Sequence, residues 1–311
     1  MRLILHIGAH RTGTTSFQSY MRRHSAELSD AGIGFWGPVR TRKGLFSGIQ
    51  PTPGLGLDAA RRARGRILLQ LDKASKRGVQ TLVISDENMM GSCRRNLRTG
   101  RLYPDVGERI ARYVAAFDNR IDTVALSVRA LDHFWTSAAA YGVHRGHDVP
   151  DAAQFEQIAS DTRSWRDVVA DVSCAAPKAA IKVLPFERFT DRADRFLSAA
   201  ADCPAPRDDD PRWLNRCADA RALRLCLSER GSDPDAVAQD EGRWSPFNIG
   251  QRAALRETYA DDMHWLIAGA NGLATLKEDA DRTRAGHTLP PGSENRGHPN
   301  DIEKRRLAQP G

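Results

Sequence analysis

The chain has 311 residues, 41% of them apolar and 27% charged, with a formal net charge of +7. That balance excludes a disordered chain, and no run of about 18 apolar residues is present to span a membrane. The excess of base calls for an anionic partner or a solvated arginine surface; without a basic–aromatic repeat, no nucleic-acid platform is expected.

The five cysteines lack CxxC spacing and are odd in number, which argues against a disulfide framework or a zinc site and for a reducing compartment. The apolar run Leu3–Ile7 is too short for a signal peptide, so a cytoplasmic location is expected.

In chain order, residues 2–7 predict a buried strand, and Phe17, Tyr20, Met21 and Leu28 mark one face of the helix after it. Residues 31–57 are rich in Gly and Pro and read as loop, with Ile33 to Trp36 as the exception. A basic helix follows over 58–77, then a strand over 79–84 ending in Ser85-Asp86-Glu87. Val106, Ile110, Tyr113, Val114 and Phe117 signal another helix. A strand over 122–128 leads to a helix over 132–142, with Asp132 as its expected N-cap. A helix over 151–172 precedes a strand over 180–184. After Phe189 the pattern is only helical, Leu255, Tyr259, Met263 and Leu266 marking one amphipathic helix. Alternating strands and helices predict a three-layer α/β fold: a mostly parallel, P-loop-like sheet with helices on both faces and a helical C-terminal part. The expected organisation is one domain over 1–277 and a disordered polar tail over 278–311.

The chemistry concentrates in Gly8-Ala9-His10-Arg11-Thr12-Gly13-Thr14-Thr15, which joins the first strand to the first helix. Open α/β sheets bind ligands at such an edge. Free amides at Gly13, Thr14 and Thr15 suit an anion, and Arg11 adds a fork of donors. Gly8 and Gly13 have the spacing of the ATP-binding P-loop G-x-x-x-x-G-K-[ST], but Thr14 stands where that motif has Lys.

His6 to Gln18 resembles the opening of the bacterial members of the sulfotransferase family, whose strand–[K/R]-[S/T]-G-[T/S]-[T/S]–helix loop holds the 5′-phosphosulfate of 3′-phosphoadenosine 5′-phosphosulfate (PAPS). The resemblance implies that Arg11, Thr12, Gly13, Thr14, Thr15 and Ser16 bind PAPS as co-substrate. It implies that Arg129, at a strand end, and Ser137, eight positions on, hold its 3′-phosphate. Lys182 to Phe189 is similar to a later family segment, with Glu187 structural. The implied reaction moves a sulfuryl group to a hydroxyl or amine of a small-molecule or saccharide acceptor, without a metal. Arg11 stabilises charge, and Glu87 is the base, with Asp86 second. His10 and His133 are rivals; an anion near His10 would raise its pKa and blunt it. The chain departs from the family's pattern at Arg11, usually Lys; at Leu131, often Pro; and at Ser16, often an aromatic residue. Arg42-Lys43-Gly44 spells the family's late loop motif far too early and reads as chance. A P-loop small-molecule kinase and a non-catalytic nucleotide-binding protein are the alternatives; the oligomeric state has no signature.

Overall fold

The computed structural model describes residues 1–51, 56, 58–238 and 242–279. Six strands form one sheet: β1 (Arg2–Gly8), β2 (Ile33–Trp36), β3 (Thr81–Ser85), β4 (Thr123–Val128), β5 (Ala180–Pro185) and β6 (Thr275–Leu276). Their spatial order is β2-β3-β1-β4-β5-β6, and every neighbouring pair is parallel. The chain builds out from β1 to one side and then the other, so the crevice beyond its C-terminal end is a topological switch point.

Side-chain alternation along the strands sorts the core into two layers. Leu3, Leu5 and Ile7 of β1, with Leu82, Ile84, Val124 and Leu126, face a large apolar cluster. Into it pack α2 (Ala59–Lys76), α4 (Val106–Ala116), α5 (Leu131–His144), α7 (Trp165–Ala175) and α10 (Ile249–Ile267). Ile4, Val83, Ala125 and Leu184 face the other way, against α1 (Thr14–Arg23) and α8 (Ala193–Ala201). This is the expected three-layer α/β fold with a helical C-terminal part. Leu3, Leu5 and Ile7 are fully buried. Each contributes about 1.5–3 kcal/mol over an exposed position, which anchors β1 and the loop at its end.

Several local expectations differ from the structure. The helix expected over 151–172 is two helices, α6 (Ala152–Ser160) and α7. Ser164 caps α7, and Asp262 of α10 accepts bonds from Ser164 Oγ (2.6 Å) and the Trp165 amide (2.9 Å), so a distant carboxylate serves the new helix end. Asp132 is not an N-cap: α5 begins at Leu131, and Asp132 sits buried in its first turn, accepting from Arg256 Nε at 2.8 Å. Residues 31–57 contain β2 and short helical turns at Pro38–Arg40 and Thr41–Leu45. The C-terminal part is not only helical, because β6 pairs with Lys182–Val183 on β5. Of the tail expected over 278–311, residues 280–311 lie outside the described residues. Glu278 pairs with Arg188 at 3.0 Å and Asp279 is buried, so the compact unit runs from Met1 to Asp279. Among the described residues no helix is long and apolar enough to cross a membrane.

Candidate active site

The loop from β1 to α1 turns through three left-handed residues, Gly8 (φ 88°), Arg11 (φ 63°) and Gly13 (φ 77°). Gly13 is the N-cap of α1 and offers no side chain. The amides of Thr14, Thr15 and Ser16 therefore lack an intrahelical acceptor, and no acidic residue sits in the first turn to answer them. Gly8 has a second reason to be glycine: a Cβ there would lie 2.9 Å from Cβ of Glu87. The loop and the end of β3 are thus in direct contact.

The hydroxyls of the loop have different roles. Thr12 Oγ1 donates to Ala9 O at 2.6 Å inside the loop and braces it. Thr15 Oγ1 and Ser16 Oγ accept from Asn215 Nδ2 (3.0 Å) and the Leu214 amide (2.9 Å), on a segment between α8 and α9 (Ala220–Glu229). That segment is pinned at its base, where Arg23 forks onto Asp208 with two 3.0 Å bonds. Arg11 Nε donates to Ser137 Oγ at 2.9 Å and Nη2 to Asn215 O at 3.0 Å, with its guanidinium 5.2 Å from the Tyr141 ring. Arg129 Nη1 donates to Arg11 O at 2.7 Å. The loop and the Arg129–Ser137 pair implied by the resemblance therefore form one connected group.

Arg129 is 9% exposed, stacked 4.7 Å over Phe186, and its Nε has no partner. Burial, then the charge of Arg243, pull its pKa down to about 10; Glu187 opposes them, and Arg11 adds a smaller lowering. It lines a cavity of about 380 Å³ with Arg11, Ser137, Arg216 and Arg243. The one carboxylate there, Asp219, accepts the Ala222 amide at 2.7 Å as the N-cap of α9.

On the other side of Arg11 a second cavity, about 300 Å³, shares Thr14, Thr15 and Asn215 with the first and contains Glu87. Glu87 begins a single turn, Glu87–Met89, after β3. Its Oε1 accepts from Arg42 Nη2 at 2.9 Å and its Oε2 from Gln18 Nε2 at 3.1 Å. Burial pushes its pKa up, but its own backbone amide, the Arg42 bond and charge, and His10 outweigh burial and hold it below the usual glutamate value. Asp86 is a different kind of carboxylate. It is buried, accepts from Thr41 Oγ1 (2.6 Å), Arg42 Nη2 (2.6 Å) and the Asn88 amide (3.1 Å), and braces the turn. Asp86, second to Glu87 as the base expected from sequence, thus has more of its oxygen sites engaged than Glu87.

His10 lies in the same cavity. Its amide donates to Tyr103 Oη at 2.9 Å; Nδ1 lies 2.9 Å from the same oxygen and Nε2 3.2 Å from Asn88 Oδ1. Without a ligand, burial lowers its pKa despite the charge of Glu87. His133 occupies the first turn of α5 outside both cavities, its pKa lowered to about 4, chiefly by burial.

Arg42, Gln18, Arg243 and the 211–219 segment were not legible as site residues. Of Arg42-Lys43-Gly44, Arg42 alone lines the second cavity, where it pairs with Asp86 and Glu87. Glu187, expected to be structural, accepts from the Ala130 amide (2.9 Å) and Tyr259 Oη (3.1 Å). No family model matches the chain, and no curated protein or solved structure matches it.

Proposed function

We propose that the protein is a transferase that moves a sulfuryl group from PAPS to a hydroxyl or amine of a small-molecule or saccharide acceptor. The observation that carries this reading is Arg129: a buried guanidinium with an orphaned Nε, no carboxylate in salt-bridge range among the described residues, and a cavity in front of it. Burying a charge without a counterion is costly, so the arrangement suits a ligand that brings its own anion. The α1 amides and Arg11 suit a second anion on the same ligand. A nucleotide with phosphates at two separate positions meets both demands, whereas one with a single phosphate chain leaves one of them unmet.

In the reaction, the acceptor oxygen or nitrogen bonds sulfur as the sulfur–oxygen bond to the nucleotide breaks, the bisphosphate leaves with the electron pair, and the acceptor proton passes to a base of the protein. Arg11 and the first-turn amides stabilise charge on the transferring group. Glu87 is the proposed base. Its lowered pKa keeps it ionised at neutral pH, and its two hydrogen bonds fill only about half of a carboxylate's lone-pair sites. Gln18 and Arg42 hold it in place.

An ATP-using kinase is supported less well. Thr14 stands where the P-loop lysine would, and Asp86, the strand-end acid that would face a metal, is held by Thr41 and Arg42. Calorimetry with adenosine 3′,5′-bisphosphate and AMP tests the reading. The bisphosphate should bind about ten- to a hundredfold more tightly, the value of a charged hydrogen-bond partner; equal affinities would overturn it.

A further inference from the structure

The cavity around Glu87 has a charge pattern that transfer itself does not require. Besides Arg11 it is lined by Arg42, Arg94 and Arg145, against one carboxylate, Glu87. Arg42 is committed to Glu87 and Asp86. Arg94, on α3 (Cys93–Thr99), and Arg145, which caps the C-terminus of α5, have no ion pair among the described residues. The contrast with the next residue is sharp: Arg95 does not line the cavity and forks onto Asp105, with one bond of 2.9 Å. The guanidinium of Arg145 lies 5.6 Å from the Tyr141 ring, which also carries Arg11 at 5.2 Å. One ring thus ties the cation of the transfer loop to a cation in the wall. Among the described residues the wholly apolar side chain of this wall is Leu97, beside Cys93 and the Tyr141 ring, so the charged groups and not an aliphatic lining distinguish it.

We propose that the acceptor carries an anionic group of its own, a carboxylate or sulfate ester, which Arg94 and Arg145 hold while its reacting hydroxyl faces Glu87. This rests on the transferase reading and specifies its acceptor as an acidic hydroxyl compound, an acidic saccharide being the form that offers both groups on one scaffold. Guanidinium forks match carboxylate and sulfate oxygens in pairs, so the two arginines select for charge and set which hydroxyl comes forward.

The test uses the full chain saturated with adenosine 3′,5′-bisphosphate and two probes. One is a heparin-derived tetrasaccharide, and the other is the same tetrasaccharide desulfated, N-acetylated and carboxyl-reduced. The acidic form should bind at least tenfold more tightly. The double variant R94A/R145A should abolish that preference while keeping its unfolding temperature and its bisphosphate affinity. R61A/R62A, on the exposed face of α2, should leave the preference intact, which separates the cavity from the general basicity of the chain. R94E alone should weaken the acidic probe further than R94A, so the reading survives a poorly folded double variant. Equal affinity for the two probes, including no binding of either, would overturn the proposal, as would a preference that persists in R94A/R145A. A single-stranded oligonucleotide that binds as tightly as the acidic probe and loses binding in the same variant would make the cavity a general polyanion groove and overturn the acceptor assignment. Failure of the bisphosphate to bind at the outset strikes the transferase reading instead, and the effect of R94A/R145A on the acidic probe alone then still decides whether these arginines hold an anion.

Discussion

The two strands that flank β1 end in opposite ways. β4 runs into Arg129, a buried cation with an orphaned nitrogen and two further arginines lowering its pKa. β3 runs into Asp86, buried, and Glu87, half-buried, two anions for which the chain supplies its own counterion, Arg42. Both ends face the same loop, so position does not explain the contrast. Taking an ion out of water costs several kcal/mol unless a partner answers it. At β3 the partner is internal, and the carboxylates are held ready whether or not a ligand is present. At β4 no carboxylate forms an ion pair with Arg129 among the described residues; the Arg11 carbonyl and the Phe186 ring hold it, and on the proposed reading a ligand supplies the anion. On the proposed reading, one edge of the cleft serves binding and the other serves proton handling.

The largest expected effect would break the comparison on the β3 side. Glu87→Gln keeps the shape and the bond to Arg42 but removes the base, so kcat should fall by about 10²–10⁴ with little change in bisphosphate affinity. Asp86→Asn should act elsewhere. It loosens a brace and lowers the unfolding free energy by about 1–3 kcal/mol, measurable by denaturant titration. Normal turnover in Glu87→Gln would remove Glu87 from the chemistry and leave both carboxylates as braces.

The next effect sharpens the β4 side. Arg129→Met should weaken bisphosphate binding by about ten- to a hundredfold and erase the discrimination against AMP. In the ligand-free protein the same substitution removes a buried charge whose pKa is pulled down to about 10. The unfolding temperature without ligand should therefore hold or rise, which scanning calorimetry can read. A steep loss of ligand-free stability would mean that the bond to Arg11 O and the stack on Phe186 are the reason for this arginine.

The smallest effect concerns pH. Arg42 is a principal cause of the low pKa of Glu87. A base works above its pKa and fails as pH falls through it, so the acid limb of kcat/KM should lie below the ordinary glutamate range. Arg42→Ala removes the depressing bond and charge and should move that limb to higher pH. An unmoved limb would assign it to another group.

The strands and most helices follow from period-2 and period-3.6 patterning, because burial on a sheet face or helix stripe is a local demand on side chains. The anion loop was legible for a related reason: left-handed glycines and a helix start are determined within a few residues. Arg129 and Ser137 came from a family resemblance, not from periodicity, and the structure adds that Ser137 meets Arg11 directly. The break between α6 and α7 escaped notice because Asp262, which serves the new helix end, is about a hundred residues away.

By itself the sequence determined the first five strands, the parallel α/β class and the glycine-rich loop after β1, since these depend on spacing and backbone freedom among near neighbours. Only the tertiary structure decided which charges are answered and which are left open. Arg42 and Glu87 are 45 residues apart, Arg11 and Ser137 are 126 apart, and Arg11 and Asn215 are 204 apart. Electrostatic compensation is a property of distance in space and of burial, and neither is written in the spacing of residues along the chain.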